Sequence, residues 1–123
     1  MPTPTESAEQ KALFEWAIWQ VNRYPGLELM HHIPNGGLRS KSEAARFKRE
    51  GVKAGIPDIF LPVPRGKYHG LYIELKRIGG SLSSIQEKMI LQLEAQGYCV
   101  VVCYGFDAAA FAITEYYENN SGR

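Results

Sequence analysis

A chain of 123 residues with 45% hydrophobic and 22% charged residues has the length for one domain with a single core and the composition of an ordinary soluble protein. It holds no run of eighteen apolar residues and no basic-then-apolar N-terminus, so neither a membrane span nor a signal peptide is expected, and a cytoplasmic location is. The net charge of +1 hides an asymmetry: residues 39–77 carry ten Lys and Arg against four acids, a local +6, while the remainder carries four against nine, a local −5. Such polarity suggests a face for a polyanion, although a merely solvated basic helix over 41–50 has the same composition.

Thr3-Pro4-Thr5-Glu6 reads as a helix start with a capping threonine, and the helix is expected to run to about Tyr24, where Pro25-Gly26 stops it. Leu13, Trp16, Ala17, Gln20 and Tyr24 form its inward stripe. Glu9 falls on that stripe and Glu6 close to it, whereas Glu15 points away; an acid there is either a ligand candidate or a favourable charge in the first turn. Residues 28–33 read as a first strand, in which His31 and His32 face opposite ways and cannot share one metal. Pro34-Asn35-Gly36-Gly37 is a turn whose backbone N–H groups can approach a phosphate. Ser40 and Glu43 form a capping box for a short basic helix ending at Gly51, with Ala44, Ala45 and Phe47 as its apolar contacts.

The segment Gly55–Lys76 is the centre of the chain. Asp58-Ile-Phe-Leu61 is strand-like and ended by Pro62 and Pro64; Leu71–Lys76 alternates strictly, with Tyr72, Glu74 and Lys76 on one face. Antiparallel partners share a constant positional sum. Asp58 opposite Glu74 then puts the hairpin centre at (58 + 74)/2 = 66, which is Gly66, the residue best suited to a tight turn. Two carboxylates side by side repel unless a cation separates them, and Mg²⁺ suits oxygen ligands.

Beyond the hairpin, Ser83 and Gln86 form a further capping box. Ile85, Met89, Ile90 and Leu93 are the packing stripe of a helix that ends at Gly97. Tyr98–Tyr104 is apolar on both faces and reads as an inner strand parallel to its predecessor. Cys99 and Cys103, about 13 Å apart along a strand, are too far apart for a disulfide, which needs about 7 Å or less. Asp107 is expected to cap a last helix to about Glu118. Residues 108–113 are apolar around the whole circumference, implying either a homodimer interface or deep burial.

Asn35-Gly-Gly37, Gly51-Val-Lys-Ala-Gly-Ile-Pro-Asp58, Ile73-Glu-Leu-Lys76 and Ser83-Ser-Ile-Gln86, in that order, resemble the VRR-Nuc branch of the PD-(D/E)XK nuclease superfamily over about residues 6–115 of a single domain, 1–123. The resemblance implies an α/β restriction-endonuclease-like core. Its mixed four-stranded sheet, a three-strand antiparallel meander plus a parallel fourth strand, is flanked by helices. It implies Mg²⁺ or Mn²⁺ held by Asp58, Glu74 and the Leu75 carbonyl, with Glu9, or Glu6 in its place, as a further ligand. Catalytic roles fall to Asp58, Glu74 and Lys76, with Gln86 at the edge of the site. Two neighbouring carboxylates favour the charged form of Lys76, so it is expected to act electrostatically rather than as a base.

The partner implied is DNA. Asn35 and Gly36 lie near the active site in the family pattern, and Arg39, Lys41, Lys53 and Arg77 are expected to hold phosphates. Stand-alone members tend to be homodimers, and two symmetric sites suit a four-way junction. A flap or nicking nuclease, or a binding module without chemistry, are the alternatives.

Overall fold

The computed structural model describes residues 3–34 and 40–120. Helix α1 (Glu6–Ile18) is capped by Thr5, whose side chain accepts from the Ala8 N–H at 3.1 Å. The cap is therefore Thr5 and not Thr3. The helix also stops about one and a half turns before Tyr24, and the chain continues in turns that still bury Tyr24. Burial of Tyr24 at helical spacing made the stripe look continuous. A single 3₁₀ turn (Leu27–Leu29) takes the start of the expected first strand, and only His31–His32 form β1.

Both Ser-led capping boxes form. Ser40 and Glu43 open α2 (Lys41–Arg49), and Ser83 and Gln86 open α3 (Ser84–Ala95). Ala44 and Ala45 are exposed and only Phe47 is partly covered, so α2 presents its charge with little apolar anchoring. Ile85 also faces outward, unlike the rest of the predicted α3 stripe. Its Cγ2 and its main chain meet the loop before Asp58. A Cβ on Gly55 would lie 2.9 Å from the Ile85 carbonyl oxygen, so only glycine allows this close passage.

The sheet order is β1, β2 (Ile59–Leu61), β3 (Leu71–Lys76), β4 (Cys99–Tyr104); the first two pairings are antiparallel and the last parallel. This is the expected meander with a parallel fourth strand. Ile59 pairs with Ile73, Phe60 with Tyr72 and Leu61 with Leu71, so every pair sums to 132, twice 66. The tip closes by reciprocal hydrogen bonds between Arg65 and Tyr68, with Gly66 at φ +57°. That pair sums to 133, so the arm containing Pro62 and Pro64 holds one extra residue. The extra residue lies outside the ladder, and the register at Asp58 is unaffected.

Leu71, Ile73 and Leu75 are at most 1% exposed and form the core with Ile59 and Leu61 of β2, Leu13 and Ala17 of α1, and Ala109, Ile113, Tyr116 and Tyr117 of α4 (Phe106–Glu118). Each such aliphatic side chain contributes about 2 kcal/mol on burial. Much of the apolar circumference of α4 is thus used within the monomer, while Phe111 stays 66% exposed. Strand β4 sits at the sheet edge rather than inside it. Its side chains are apolar on both faces because α3 and α4 pack against it. Cys99 and Cys103 are free.

Asp107 does not cap α4. It lies inside the first turn, and Gly105 occupies the cap position without a side-chain bond. Glu9 reaches across from α1 and accepts the Phe106 N–H, supplying from a distance the anion that a helix N-terminus favours. At the other end Arg65 donates to the Tyr117 carbonyl at 2.5 Å, which locks the hairpin tip onto α4.

Candidate active site

Asp58 stands one residue before β2, on the sheet face of Phe60, Tyr72, Glu74 and Lys76. Its backbone is held by β1: its carbonyl accepts the Ile33 N–H at 2.6 Å and the Nδ1–H of His32 at 2.9 Å. Its side chain is held by β3, because Oδ2 accepts the Leu75 N–H at 3.0 Å. His31 is engaged similarly, through Nδ1 to the Leu29 carbonyl at 2.9 Å. Both histidines serve structure here.

Glu74 is 2% exposed and is the one charged side chain buried among the described residues. Its Oε2 accepts from Gln86 Nε2 at 3.2 Å and lies 3.7 Å from Lys76 Nζ. Its Oε1 is buried with no hydrogen-bond partner among the described residues. Burial pushes the Glu74 carboxyl up to about 8, and the charge of Asp58 pushes the same way. Lys76 opposes the shift, while the charge of Glu6 adds to it. A buried, orphaned carboxylate oxygen beside a second carboxylate is a costly arrangement for the chain alone. A divalent cation removes that cost, and the oxygen-only donor set suits a hard ion such as Mg²⁺ or Mn²⁺.

The fold thus brings Asp58, Glu74, Lys76 and Gln86 together. Gln86 does two jobs at once, since its Oε1 accepts the Ser83 N–H at 2.9 Å while its Nε2 reaches Glu74. Glu9 is engaged at the start of α4. Among the described residues no group of three or more His, Cys, Asp or Glu is arranged to hold a metal. It is Glu6, the weaker candidate by sequence, whose charge is felt at Glu74. Lys41, Lys53 and Arg77 are exposed; Asn35, Gly36 and Arg39 lie outside the described residues.

Phe60 and Tyr72 join this face beside the carboxylates. Sequence reading did not single them out, although the same alternation that aligned Glu74 with Lys76 aligns Tyr72 with them. Among the described residues no helix is long and apolar enough to cross a membrane.

The VRR-NUC domain family model matches residues 5–107. A solved structure described as a VRR_NUC domain protein is similar, with a TM-score of 0.81 and 35% identity over 98% of this chain and 93% of the other. No curated protein matches.

Proposed function

Because the chain belongs to the VRR-NUC domain family and has its nuclease-type fold, we propose that it is a metal-dependent DNA endonuclease that hydrolyses phosphodiester bonds. One observation carries this reading: Glu74 is buried beside Asp58 with a carboxylate oxygen left unpaired among the described residues. Mg²⁺ or Mn²⁺ would be held by Asp58, Glu74 and the Leu75 carbonyl, with Glu6 or Glu9 as the acid from α1. A cation there supplies Lewis acidity toward the phosphate and a more acidic water.

The chain's own residues set the stage for that chemistry. The Leu75 N–H fixes the rotation of the Asp58 carboxylate, and Gln86 fixes that of Glu74. Lys76, with its side chain 13% exposed, brings its ammonium to 3.7 Å from Glu74 Oε2. Its positive charge stabilises the charge that develops on the phosphate during in-line attack. Lys41, Lys53 and Arg77 hold flanking phosphates, with Asn35, Gly36 and Arg39 beside them in the sequence.

We place the enzyme as a homodimer that resolves four-way junctions. A hollow of about 440 Å³ lies between β4 and α4, lined by Val101, Ala108, Phe111 and Ala112 among others. A second copy covering it would bury Phe111 and close the β4 edge. The two related active sites would then meet the two symmetric phosphates of a junction. Incubating the protein with labelled junction, flap, duplex and single-stranded DNA, with and without Mg²⁺ or Mn²⁺, tests the proposal. Metal-dependent cleavage with junction preferred is expected; no cleavage of any DNA with either metal overturns it.

A further inference from the structure

The face of the sheet that carries Asp58 and Glu74 continues into a run of rings that is separate from the core. Phe60 and Tyr72 stack at 4.3 Å between centroids with 26° between planes. Tyr98 meets both edge-on, at 6.0 and 5.3 Å. His31 closes one end against Phe60 at 5.9 Å, and His69 the other against Tyr98 at 5.8 Å. Phe60, Tyr72 and Tyr98 are half-buried, His31 and His69 exposed, and none of the five belongs to the core cluster or packs on it. Gly70 makes the arrangement possible, since a Cβ there would come within 3.0 Å of the Phe60 ring.

The position of these rings relative to the carboxylates is fixed by the strands. Tyr72 is two residues from Glu74, and Phe60 two from Asp58, each on the same face. Two strand residues span about 7 Å, about one nucleotide from a phosphate held at the carboxylates. Aromatic rings receive nucleobases that are free to leave the duplex stack, and they do so with little regard to sequence.

We propose that Phe60, Tyr72 and Tyr98 form a stacking ledge for an unpaired nucleobase of the DNA, adjacent to the scissile phosphate. This rests on the nuclease reading and narrows it: the substrates selected carry an unpaired or readily unstacked nucleotide beside the cut, as branch points do. The ledge selects by stacking, and the basic residues supply affinity that is blind to structure.

The test uses an Asp58→Asn background, so that binding is read without cleavage. The probe is an oligonucleotide with 2-aminopurine at an unpaired position next to a duplex boundary, compared with the same base fully paired. Binding is expected to quench the unpaired probe. Adding Tyr72→Leu or Phe60→Leu should abolish most of the quenching and weaken binding of that probe roughly ten-fold relative to the paired one. Tyr72→Trp should restore both, which a purely structural role for Tyr72 does not predict. Melting curves identify any variant that fails to fold, and Tyr98→Leu then serves as the third test position. Folded leucine variants that quench like the parent overturn the ledge. Failure of the wild-type protein to cut any DNA with Mg²⁺ or Mn²⁺ overturns the nuclease reading instead, because quenching is read independently of cleavage.

Discussion

The two faces of β3 are built from alternate residues of one six-residue strand, yet they follow opposite rules. On the inner face Leu71, Ile73 and Leu75 are aliphatic, almost wholly buried and matched by α1 and α4. On the outer face Glu74 is equally buried, but its surroundings are a second carboxylate, an ammonium and an amide. The inner face lowers the free energy of the fold; the outer face raises it and holds that cost at one spot. The contrast teaches that burial has two meanings here: aliphatic burial marks the scaffold, and burial of a carboxylate with an oxygen unpaired among the described residues marks a cost that a cation would relieve.

Substitutions that act on only one face break the comparison most sharply. Asp58→Asn removes a charge from the outer face and should lower cleavage by about a thousand-fold, as expected when several kcal/mol of transition-state stabilisation are lost. Its melting temperature should hold or rise, because the repulsion on Glu74 is relieved. A comparable loss of folding would show that the two faces are not separable. Ile73→Ala is the inner-face counterpart. Chemical denaturation should show a loss of about 2–5 kcal/mol, with metal binding by the fraction that stays folded unchanged in calorimetry.

The pH dependence of the metal-free protein sharpens the same point. The folded-state pKa of Glu74 is raised from 4.5 to about 8, so its contribution to stability is fully present below about 4.5 and is lost as pH rises through 8. The melting temperature should therefore fall between pH 5 and pH 8 by at least about 5 °C, a tenfold difference in proton affinity between the folded and unfolded chain being worth about 1.4 kcal/mol. Mn²⁺ should recover more of it at pH 8 than at pH 5. Glu74→Gln should flatten the profile; an unchanged slope would show that Glu74 is not the group responsible.

Smaller effects are expected from the supporting groups. Lys76→Arg keeps the charge and should retain measurable cleavage, whereas near-complete loss would argue for proton transfer by the amine. Gln86→Ala should weaken metal affinity about ten-fold in calorimetry, the size typical of a group that orients a ligand. It also removes half of a capping box and should lower helix stability by about 1 kcal/mol.

Much of this was legible before any coordinates. Strict alternation in Leu71–Lys76, turn chemistry at Gly66 and the constant sum of an antiparallel ladder placed Asp58 beside Glu74, because each is a rule of local geometry. Two capping boxes were readable for the same reason: a serine and a Glu or Gln three residues on satisfy neighbouring backbone groups. The four sequence blocks were enough to point to the family. The end of α1 at Ile18, the brevity of β1 and the edge position of β4 were not readable. Side-chain polarity reports what covers a residue and not which element it belongs to: Tyr24 is buried from a turn, and β4 is covered by helices although one backbone edge is open.

The chain alone determined which side chains share a strand face, since a period of two leaves no choice once the strand forms. Only the tertiary structure decided how those side chains are used. Glu9 was on the right helix stripe, but the approach of α4 gave its carboxylate to the Phe106 N–H; Gln86 was a capping residue that the packing of α3 on the sheet also delivered to Glu74. Phe60, Tyr72 and Tyr98 come from three separate segments and meet only in the folded sheet. Contacts between elements distant in sequence depend on how whole surfaces fit together, and no short-range pattern encodes that.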